Sequence, residues 1–459
     1  MPTQHLETDY LILGAGAMGM GFADVILSED PAARIVMVDR HANPGGHWND
    51  AYPFVRLHQP AAFYGLHSTS LGRGGEDLSS GANLVAYYRD AMDAFVRSGR
   101  VTFLPMSEYE GDGRVTSIVD ADQVTTVTAR RRIVDGTYSH VLVPSICPPR
   151  YGVDPEVTLV APNELARIRR PWERYVIIGA GKTGIDSILF LLDNGVAPER
   201  IRWIMPNDAW LLDRGAMQPD LVLDSVVAMV QSIADAPGIQ DAFLDLERQG
   251  IVFRLDEESF PTKWRCATVD RRELAELRRL QDIVRLGRVQ HVGRDELRLD
   301  EGTIDVEPDT LFVDCSANGL AKRDPTPIFA PQRVTLQPVF MCQQTFSAAL
   351  LAHLELLDLD DARRNRICTP VPHPEHVLDL ASALVTTSQN MLNSNRHMAL
   401  WLRRTRLFLG HHAPAHRYLL GSGRLAMIQR RAAASMRRMQ SAAPAESGAA
   451  RCETVGAGA

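Results

Sequence analysis

The sequence predicts an α/β fold with two Rossmann-like units, the second inserted in the first, and a helical C-terminal region. Two glycine-rich loops carry this prediction, Gly14-Ala15-Gly16-Ala17-Met18-Gly19 and Gly179-Ala180-Gly181-Lys182-Thr183-Gly184. Each loop follows an apolar, strand-like run and opens a helical pattern. The first glycine allows a tight turn, the second leaves room for a pyrophosphate, and the third lets helix and strand pack closely. Two such loops predict two bound dinucleotides, an arrangement typical of proteins that move electrons between them.

The first unit is predicted to span residues 1–158. A helical pattern follows the first loop, and a strand, Ile35–Val38, then ends at Asp39. An acidic residue about 20 positions after such a loop is expected to bind the hydroxyl groups of a ribose. The predicted contacts of the first cofactor here are therefore Gly14, Gly16, Gly19, Asp39 and the neighbouring Arg40.

A glycine-rich and aromatic segment follows the first βαβ pattern. It contains Gly45-Gly46-His47-Trp48, Tyr52-Pro53 and Arg56-Leu57-His58-Gln59. Glycines permit close approach to a ligand, aromatic rings can flank a planar ring system, and Arg56, His58 and Gln59 can donate hydrogen bonds to it. A helix over 84–98 and short strands over 101–143, the last at Tyr138–Val143, complete the predicted unit.

The second unit is predicted over 159–304, with helical insertions at 219–249 and 270–286. Its second strand runs into Pro206-Asn207-Asp208 without a carboxylate at the strand end. This absence favours NADPH over NADH, because a carboxylate there would repel a 2′-phosphate. The predicted NAD(P) contacts are Gly179, Gly181, Lys182, Thr183, Gly184, Asn207 and Arg214.

Residues 305–375 are predicted to return to the first unit. An apolar strand, Leu311 to Val313, ends at Asp314, and small residues follow up to Gly319. Asp314 and Gly319 are predicted to lie close to the first cofactor. Helical patterns then cover 376–440, and a tail rich in Ala, Gly and Ser, 441–459, is predicted to be disordered.

Composition, charge and cysteine spacing narrow the range of functions that the sequence predicts. The chain has 459 residues and a formal net charge of −7, which offers no general attraction for nucleic acid. No apolar run reaches membrane-spanning length, so a cytoplasmic location is expected. The six cysteines form no Cys-x-x-Cys pair and are expected to be separate, buried residues. No metal is predicted, since His373 and His376 lie in a proline-rich loop without further ligands.

The segment after Asp39 resembles class B flavin monooxygenases. Gly45-Gly46-His47-Trp48 with Tyr52-Pro53 and Arg56 is similar to a Baeyer–Villiger motif, and Leu57 to Phe63 is similar to a stretch of plant auxin-forming flavin monooxygenases. This resemblance implies FAD at the first loop and NADPH or NADH at the second. It also assigns Gly46, His47, Trp48, Arg56 and His58 to the FAD site. The family signature Phe-x-Gly-x-x-x-His is missing, His58 replaces an Asp, and Pro144-Ser145-Ile146 replaces an Ala-Thr-Gly turn.

The resemblance implies an FAD-dependent NAD(P)H oxidoreductase that inserts one oxygen atom from O2 into a small organic substrate through a C4a-(hydro)peroxyflavin. His58, Arg56 and Gln59 are the candidate catalytic residues, and His58 could control a proton at the flavin. Two alternatives remain open. One is a dehydrogenase or reductase that passes electrons to an acceptor without oxygen transfer. The other is a nucleotide sensor that holds a partner through its basic C-terminal helix.

Overall fold

The computed structural model describes residues 4–72, 78–317 and 319–442. The tail predicted over 441–459 therefore lies outside the described residues from 443 onward. The strands are β1 Gln4–Leu13, β2 Ile35–Val38, β3 Val101–Leu104, β4 Ser107–Gly111, β5 Arg114–Ser117, β6 Val124–Asp135, β7 Gly152–Val153, β8 Thr158–Val160, β9 Arg174–Ile178, β10 Ile201–Ile204, β11 Ala209–Asp213, β12 Val252–Phe253, β13 Lys263–Val269, β14 Ile283–Val284, β15 Val289–Val292, β16 Glu296–Leu299, β17 Gly302–Asp305, β18 Thr310–Asp314, β19 Phe329–Ala330 and β20 Arg333–Thr335.

The helices alternate with the strands in the first two thirds of the chain and dominate the last third. They are α1 Ala17–Glu29, α2 Gly81–Arg97, α3 Pro162–Leu165, α4 Lys182–Asp193, α5 Val222–Asp235, α6 Ile239–Arg248, α7 Arg271–Leu277, α8 Gln344–Leu356, α9 Asp361–Ile367, α10 Val377–Arg404 and α11 Ala415–Ala442. Among the described helices, none has both the length and the apolar character needed to span a bilayer.

The first sheet has the order β19-β20-β6-β1-β2-β3, and the hairpin of β4 and β5 extends from β6. The strands β20, β6, β1, β2 and β3 are parallel, and Tyr10 lies opposite Ile35 in the register of β1 and β2. A parallel strand that is buried on both faces has apolar residues at consecutive positions, and this explains the apolar runs in β1 and β2. Helix α1 is buried along most of its length between this sheet and α8.

The second sheet has the parallel order β14-β10-β9-β18-β8. Its core includes Ile177, Ile188 and Trp203. A three-stranded sheet, β12-β11-β13, and a four-stranded sheet, β17-β16-β15-β7, lie beside it. The α/β class and the two parallel sheets predicted from the sequence are therefore present.

Strand membership differs from the prediction at one place. Strand β18 pairs with β9, so Thr310–Asp314 belongs to the second sheet, although 305–375 was predicted to return to the first unit. The return comes later, at β20, which pairs with β6. The first sheet thus takes its strands from residues 4–135 and 329–335, and the second takes its strands from residues 158–314.

The two connections between these sheets lie side by side. The backbone N–H of Leu142 donates to the carbonyl of Gly319 over 2.9 Å, and that of Ala321 donates to the carbonyl of Ser139 over 3.0 Å. The strand predicted at Tyr138–Val143 is absent, because these residues form this connection instead of joining a sheet. Local alternation alone could not distinguish the two outcomes.

The cysteines also differ from the prediction. Cys315 and Cys368 are buried and free, as expected for small apolar residues. Cys266 and Cys342, however, are joined by a disulfide across 76 positions of sequence. The expectation of separate cysteines is wrong for this pair, because sequence spacing does not show which distant segments the fold brings together.

Candidate functional site

The first glycine loop connects β1 to α1. Gly14 has a φ of +88°, a conformation that favours glycine, and its N–H donates to the carbonyl of Val38 over 2.8 Å. A Cβ on Gly19 would collide with the carbonyl oxygen of Gly14. Gly16 is the N-cap of α1, whose first turn carries no acidic side chain. The loop therefore ends in an electropositive helix start of the kind that binds phosphates.

Asp39 stands at the end of β2 and faces this loop. Its carboxylate accepts from the N–H of Ala15 over 2.6 Å and contacts the Nδ1 of His41 over 2.9 Å. The other ring nitrogen of His41 lies 2.8 Å from Asp50. Hydrogen bonding to Asp39 raises the pKa of His41 to about 9; burial opposes this, and Asp50 adds to it. Sequence reasoning missed His41, although a histidine two positions after the acid was a usable signal. Arg40 is exposed.

The segment from Gly45 to Tyr64, here called the bridging segment, lies over the first loop. The N–H of Gly45 donates to the carbonyl of Ala15 over 2.9 Å. Gly46 has a φ of +58°, and a Cβ there would lie 3.0 Å from the Cα of Gly16, so this crossing favours glycine. The indole N–H of Trp48 donates to the hydroxyl of Tyr64 over 2.9 Å, which joins the two ends of the segment.

The same segment also contacts the second unit. The hydroxyl of Tyr52 donates to Asp186 of α4 over 2.7 Å, and Asp186 also pairs with Lys182. The ring of Phe54 stacks on Phe190 with centroids 4.3 Å apart. One continuous stretch of chain therefore lies against the first glycine loop and against α4, the helix that follows the second loop.

The candidate catalytic residues occupy different places in the bridging segment. The backbone carbonyl of His58 accepts from the hydroxyl of Thr268 on β13. Burial lowers the pKa of the His58 imidazole to about 4, and the charge of Lys182 acts in the same direction. Gln59 donates to the carbonyl of Phe63 over 3.4 Å. Arg56 is exposed and reaches the carbonyl of Leu78, so the structure does not bring it to His58.

His47 lies next to the first loop, and its ring contacts Trp48 at a centroid distance of 4.9 Å. Burial lowers the pKa of His47 to about 4; Asp50 opposes this and the charge of His41 adds to it. The imidazole of His47 is therefore neutral at physiological pH, while the imidazole of His41 carries a proton.

The second glycine loop connects β9 to α4. Gly179 has a φ of +124°, and a Cβ there would lie 2.5 Å from the carbonyl oxygen of Cys315. A Cβ on Gly184 would collide with the carbonyl of Gly179. A Cβ on Gly181, by contrast, would meet no heavy atom within 4 Å. Helix α4 begins at Lys182, and the carbonyl of Thr183 accepts from the hydroxyl of Ser187. The cradle above Gly181 is open.

Two predicted NAD(P) residues lie beyond this loop. Asn207 follows β10 and is half-buried. Arg214 is buried, and its guanidinium pairs with Asp270 at 3.1 Å and Glu273 at 2.5 Å. Because both carboxylates take up its charge, Arg214 offers little to a phosphate.

Asp208 and Arg285 form a pair that sequence reasoning missed. Asp208 follows β10, Arg285 follows the neighbouring strand β14, and their charged groups meet at 2.8 and 3.1 Å. This basic side chain lies at the edge where the second strand of the unit ends. Strand β14 pairs with β10 at Ile283 and Trp203, which are 80 positions apart in sequence, so local patterns gave no signal for this pair.

The structure places Asp314 beside the second loop and not the first. Asp314 ends β18 and accepts from the N–H and hydroxyl of Ser316 over 3.0 and 2.6 Å. Gly319 lies in the connection between the sheets. The strand end that faces the first loop is that of β6, where a Cβ on Gly136 would lie 2.9 Å from the carbonyl of Leu13. The glycine turn that faces the first loop is therefore at Gly136 and not at Pro144-Ser145-Ile146.

Arg406, which follows α10, supports the bridging segment from behind. Its guanidinium donates to the carbonyls of Ala62 and Tyr64 over 3.1 and 2.7 Å. Arg406 is separated from these residues by more than 300 positions, and no sequence pattern pointed to it.

Comparison with known proteins found close relatives without an assigned activity. The uncharacterized protein Rv2000 of Mycobacterium tuberculosis (strain ATCC 25618 / H37Rv) and the uncharacterized protein Mb2023 of Mycobacterium bovis are each 44% identical over 427 residues. The match covers 89% of this chain and 79% of each relative. No family model matches the chain.

Solved structures with the same fold are monooxygenases. The open crystal structure of cyclohexanone monooxygenase is 13% identical, with a TM-score of 0.50, and the match covers 94% of this chain and 99% of that one. The polycyclic ketone monooxygenase from the thermophilic fungus Thermothelomyces thermophila is also 13% identical, with a TM-score of 0.50 over 96% and 88% of the two chains. The chain thus belongs to the family of the uncharacterized mycobacterial proteins, and its fold is that of the class B flavin monooxygenases.

Proposed function

We propose that the protein is an FAD-dependent NAD(P)H oxidoreductase that acts as a monooxygenase on a small organic substrate. FAD binds at the loop of Gly14, Gly16 and Gly19, and NAD(P)H binds at the loop of Gly179, Gly181 and Gly184. The observation that carries the proposal is the bridging segment, because one stretch of chain contacts the first loop and also helix α4, which begins at the second loop. Such a segment can hold two cofactors at a fixed distance from each other.

The residues present fit both cofactors. Helices α1 and α4 each have a loop glycine as N-cap and no acidic side chain in the first turn, which suits two pyrophosphates. Asp39 stands where a ribose is expected, and the space over Gly181 is open. The proposed nicotinamide-dependent reduction of a flavin supplies the electrons for the reaction when both groups are bound.

The surrounding side chains have assignable tasks. Lys182 lies at the start of α4 and is oriented by Asp186, which Tyr52 holds in place. The buried imidazole of His58 is neutral near pH 7, so it can donate a hydrogen bond through one ring nitrogen and accept one through the other. Trp48 and Tyr64 close the back of the first loop and exclude water.

NADPH is the proposed electron donor. The carboxylate of Asp208 follows β10, but it is paired with Arg285 and partly neutralised. Arg285 also pairs with Asp256 at 3.3 Å, but its side chain is 33% exposed whereas that of Arg214 is 5% exposed. The guanidinium of Arg285 can therefore offer a cation at the strand end where a 2′-phosphate is read. Arg214, which the sequence suggested for this task, is occupied by two carboxylates of its own unit.

The ultraviolet-visible spectrum of the purified full chain tests the proposal. We expect a flavin spectrum that bleaches when NADPH is added without oxygen. Gly181→Val should keep the flavin and lose the bleaching, because its side chain fills the open cradle. Gly423→Val, an equally unobstructed position on α11, is the matched control and should bleach normally. Protein that binds no FAD on reconstitution would refute the proposal.

Oxygen transfer needs a separate measurement. With NADPH, labelled O2 and thioanisole as the probe, a monooxygenase places one labelled atom in the sulfoxide. Reduction of menadione without any labelled product instead supports electron transfer alone. That second candidate is favoured by one observation, the disulfide of Cys266 and Cys342 beside the site, which is itself an electron acceptor.

A further inference from the structure

The disulfide lies between segments that both contact the bridging segment. Cys266 is on β13, and two residues further along the same strand Thr268 donates to the carbonyl of His58. Cys342 precedes α8, and the hydroxyl of Thr345 in the first turn of α8 donates to the carbonyl of Phe63 over 3.4 Å. Each cysteine therefore lies two or three residues from a threonine that hydrogen-bonds to the bridging segment.

Both cysteines have an unusual backbone. The φ of Cys266 is +50° and that of Cys342 is +56°, in a region that residues with a side chain rarely adopt. The surrounding structure must hold each of them there, and such outliers are concentrated at functional sites. The indole N–H of Trp264 lies 3.0 Å from the sulfur of Cys266 and fixes its position further.

A histidine stands beside the pair. One ring nitrogen of His373 and the two sulfurs all lie within 4.8 Å of one another. Burial lowers the pKa of His373, Glu375 opposes this and Arg265 adds to it, so its imidazole is neutral and can accept a proton.

We propose that Cys266 and Cys342 form a redox-active disulfide that takes an electron pair from NADPH through the flavin. The inference rests on the proposed function. In the overall step, NADPH, one proton and the disulfide give NADP⁺ and two thiols. The S–S bond breaks, the hydride supplies both electrons and one proton equivalent, and solvent supplies the second proton through the imidazole of His373. The nicotinamide is oxidised and the disulfide is reduced.

The other described cysteines in the interior are unsuited to this task. Burial raises the pKa of the Cys315 thiol and of the Cys368 thiol to about 12, so neither forms a reactive thiolate near neutral pH. Their hydroxyl neighbours are Ser187 and Ser394. Cys368 thus provides an internal control of the same residue type.

An anaerobic NADPH titration of the flavin-loaded full chain tests the inference. The wild-type protein should consume two equivalents of NADPH per flavin, one for the flavin and one for the disulfide. Cys342→Ser should consume one, and Cys368→Ser should still consume two. Alkylation before and after NADPH, followed by peptide mass spectrometry, should show a cross-linked Cys266–Cys342 peptide that disappears on reduction.

Three results would overturn the inference. A wild-type flavin that bleaches with one equivalent, with the cross-linked peptide unchanged, makes the disulfide structural and leaves the proposed function intact. Stoichiometric zinc in the purified protein, with both thiols reduced, makes Cys266, Cys342 and His373 metal ligands. A flavin that NADPH does not bleach, although dithionite does, instead removes the proposed function and its electron donor together.

Discussion

Gly181 and Gly184 lie three residues apart in the second loop and have different tasks. Gly184→Ala places a Cβ against the carbonyl of Gly179, which the backbone must move to accommodate. We expect it to lower the free energy of unfolding by about 2 kcal/mol. Gly181→Ala meets open space and should change it by less than about 0.5 kcal/mol. Urea denaturation checks the pair, and equal losses would contradict this division of tasks.

His41 predicts a pH dependence of stability. Its folded pKa of about 9 lies above the unfolded value of about 6.5, so its stabilising contribution is complete below the latter and is lost as the pH rises through the former. The side chain is 31% exposed, which reduces the expected contribution to about 1–2 kcal/mol. His41→Gln should remove this loss between pH 6.5 and 9.

The control for this experiment is His416→Gln, an exposed histidine at the start of α11. It should retain the alkaline loss of stability seen in the wild-type protein. If His41→Gln shows the same alkaline loss as His416→Gln, then His41 is not the group responsible. Unfolding by urea at each pH gives the required free energies.

For single residues, the sequence predicted the positions that depend on local backbone geometry. The loop glycines and Asp39 lie where the fingerprint places them. The sequence did not predict three contacts: the bond of His41 to Asp50, the support by Arg406, and the pairing of the two cysteines. In each case the fold alone decides how close the two parts of the chain come in space.

Among the elements, the bridging segment depends on a distant support. Arg406→Met removes two hydrogen bonds to the carbonyls of Ala62 and Tyr64 and leaves both without that donor. We expect a loss of about 2 kcal/mol in stability and weaker retention of FAD during gel filtration. The exposed Arg404→Met is the matched control and should behave as wild type. Equal FAD retention in both variants would show that the support is dispensable.

Helix α11 packs on α5, and one of its faces is part of the core. Leu425 is fully buried there, whereas Leu420 on the same helix is 67% exposed. Leu425→Ser should cost about 3 kcal/mol, because it removes apolar contacts and buries a hydroxyl. Leu420→Ser should be nearly neutral. Thermal unfolding distinguishes them, and similar melting temperatures would place α11 outside the core.

Most elements were predictable because their periodicity is strong. The helix predicted over 84–98 is α2, and the helical patterns predicted over 376–440 correspond to α10 and α11. The predictions that were wrong concern which strands pair with each other. Strand β18 was recognisable as a strand, but the residues of β18 do not show that its neighbour is β9. Tyr138–Val143 alternates like a strand and yet finds no sheet edge to join.

For the whole molecule, the contact between the two units depends on few side chains. Phe54 stacks on Phe190, and Tyr52 bonds to Asp186 beside it. Phe54→Ala should loosen this contact and speed proteolysis within the connections near residues 139 and 321. The control is Phe103→Ala, a residue on β3 that packs against the core of the first sheet, and it should not speed proteolysis at these connections. Unchanged cleavage in Phe54→Ala would mean that other contacts fix the units.

The overall division into two parallel sheets followed from the glycine loops alone. What the sequence could not supply was the place where the chain returns, since β20 has three residues and little pattern of its own. Its assignment to the first sheet depends on pairing with β6, in which Arg333 lies opposite Ile133, 200 positions away in sequence.

The adjacent connections have a mechanical consequence. Because Leu142 bonds to Gly319 and Ala321 to Ser139, both chain crossings lie along one line. Any swing of the second unit relative to the first is therefore expected to pivot about that line, with the least displacement at the crossings and the greatest at the far rim of the second unit. Catalytic turnover that requires the nicotinamide to withdraw would be governed by torsion of these two short crossings.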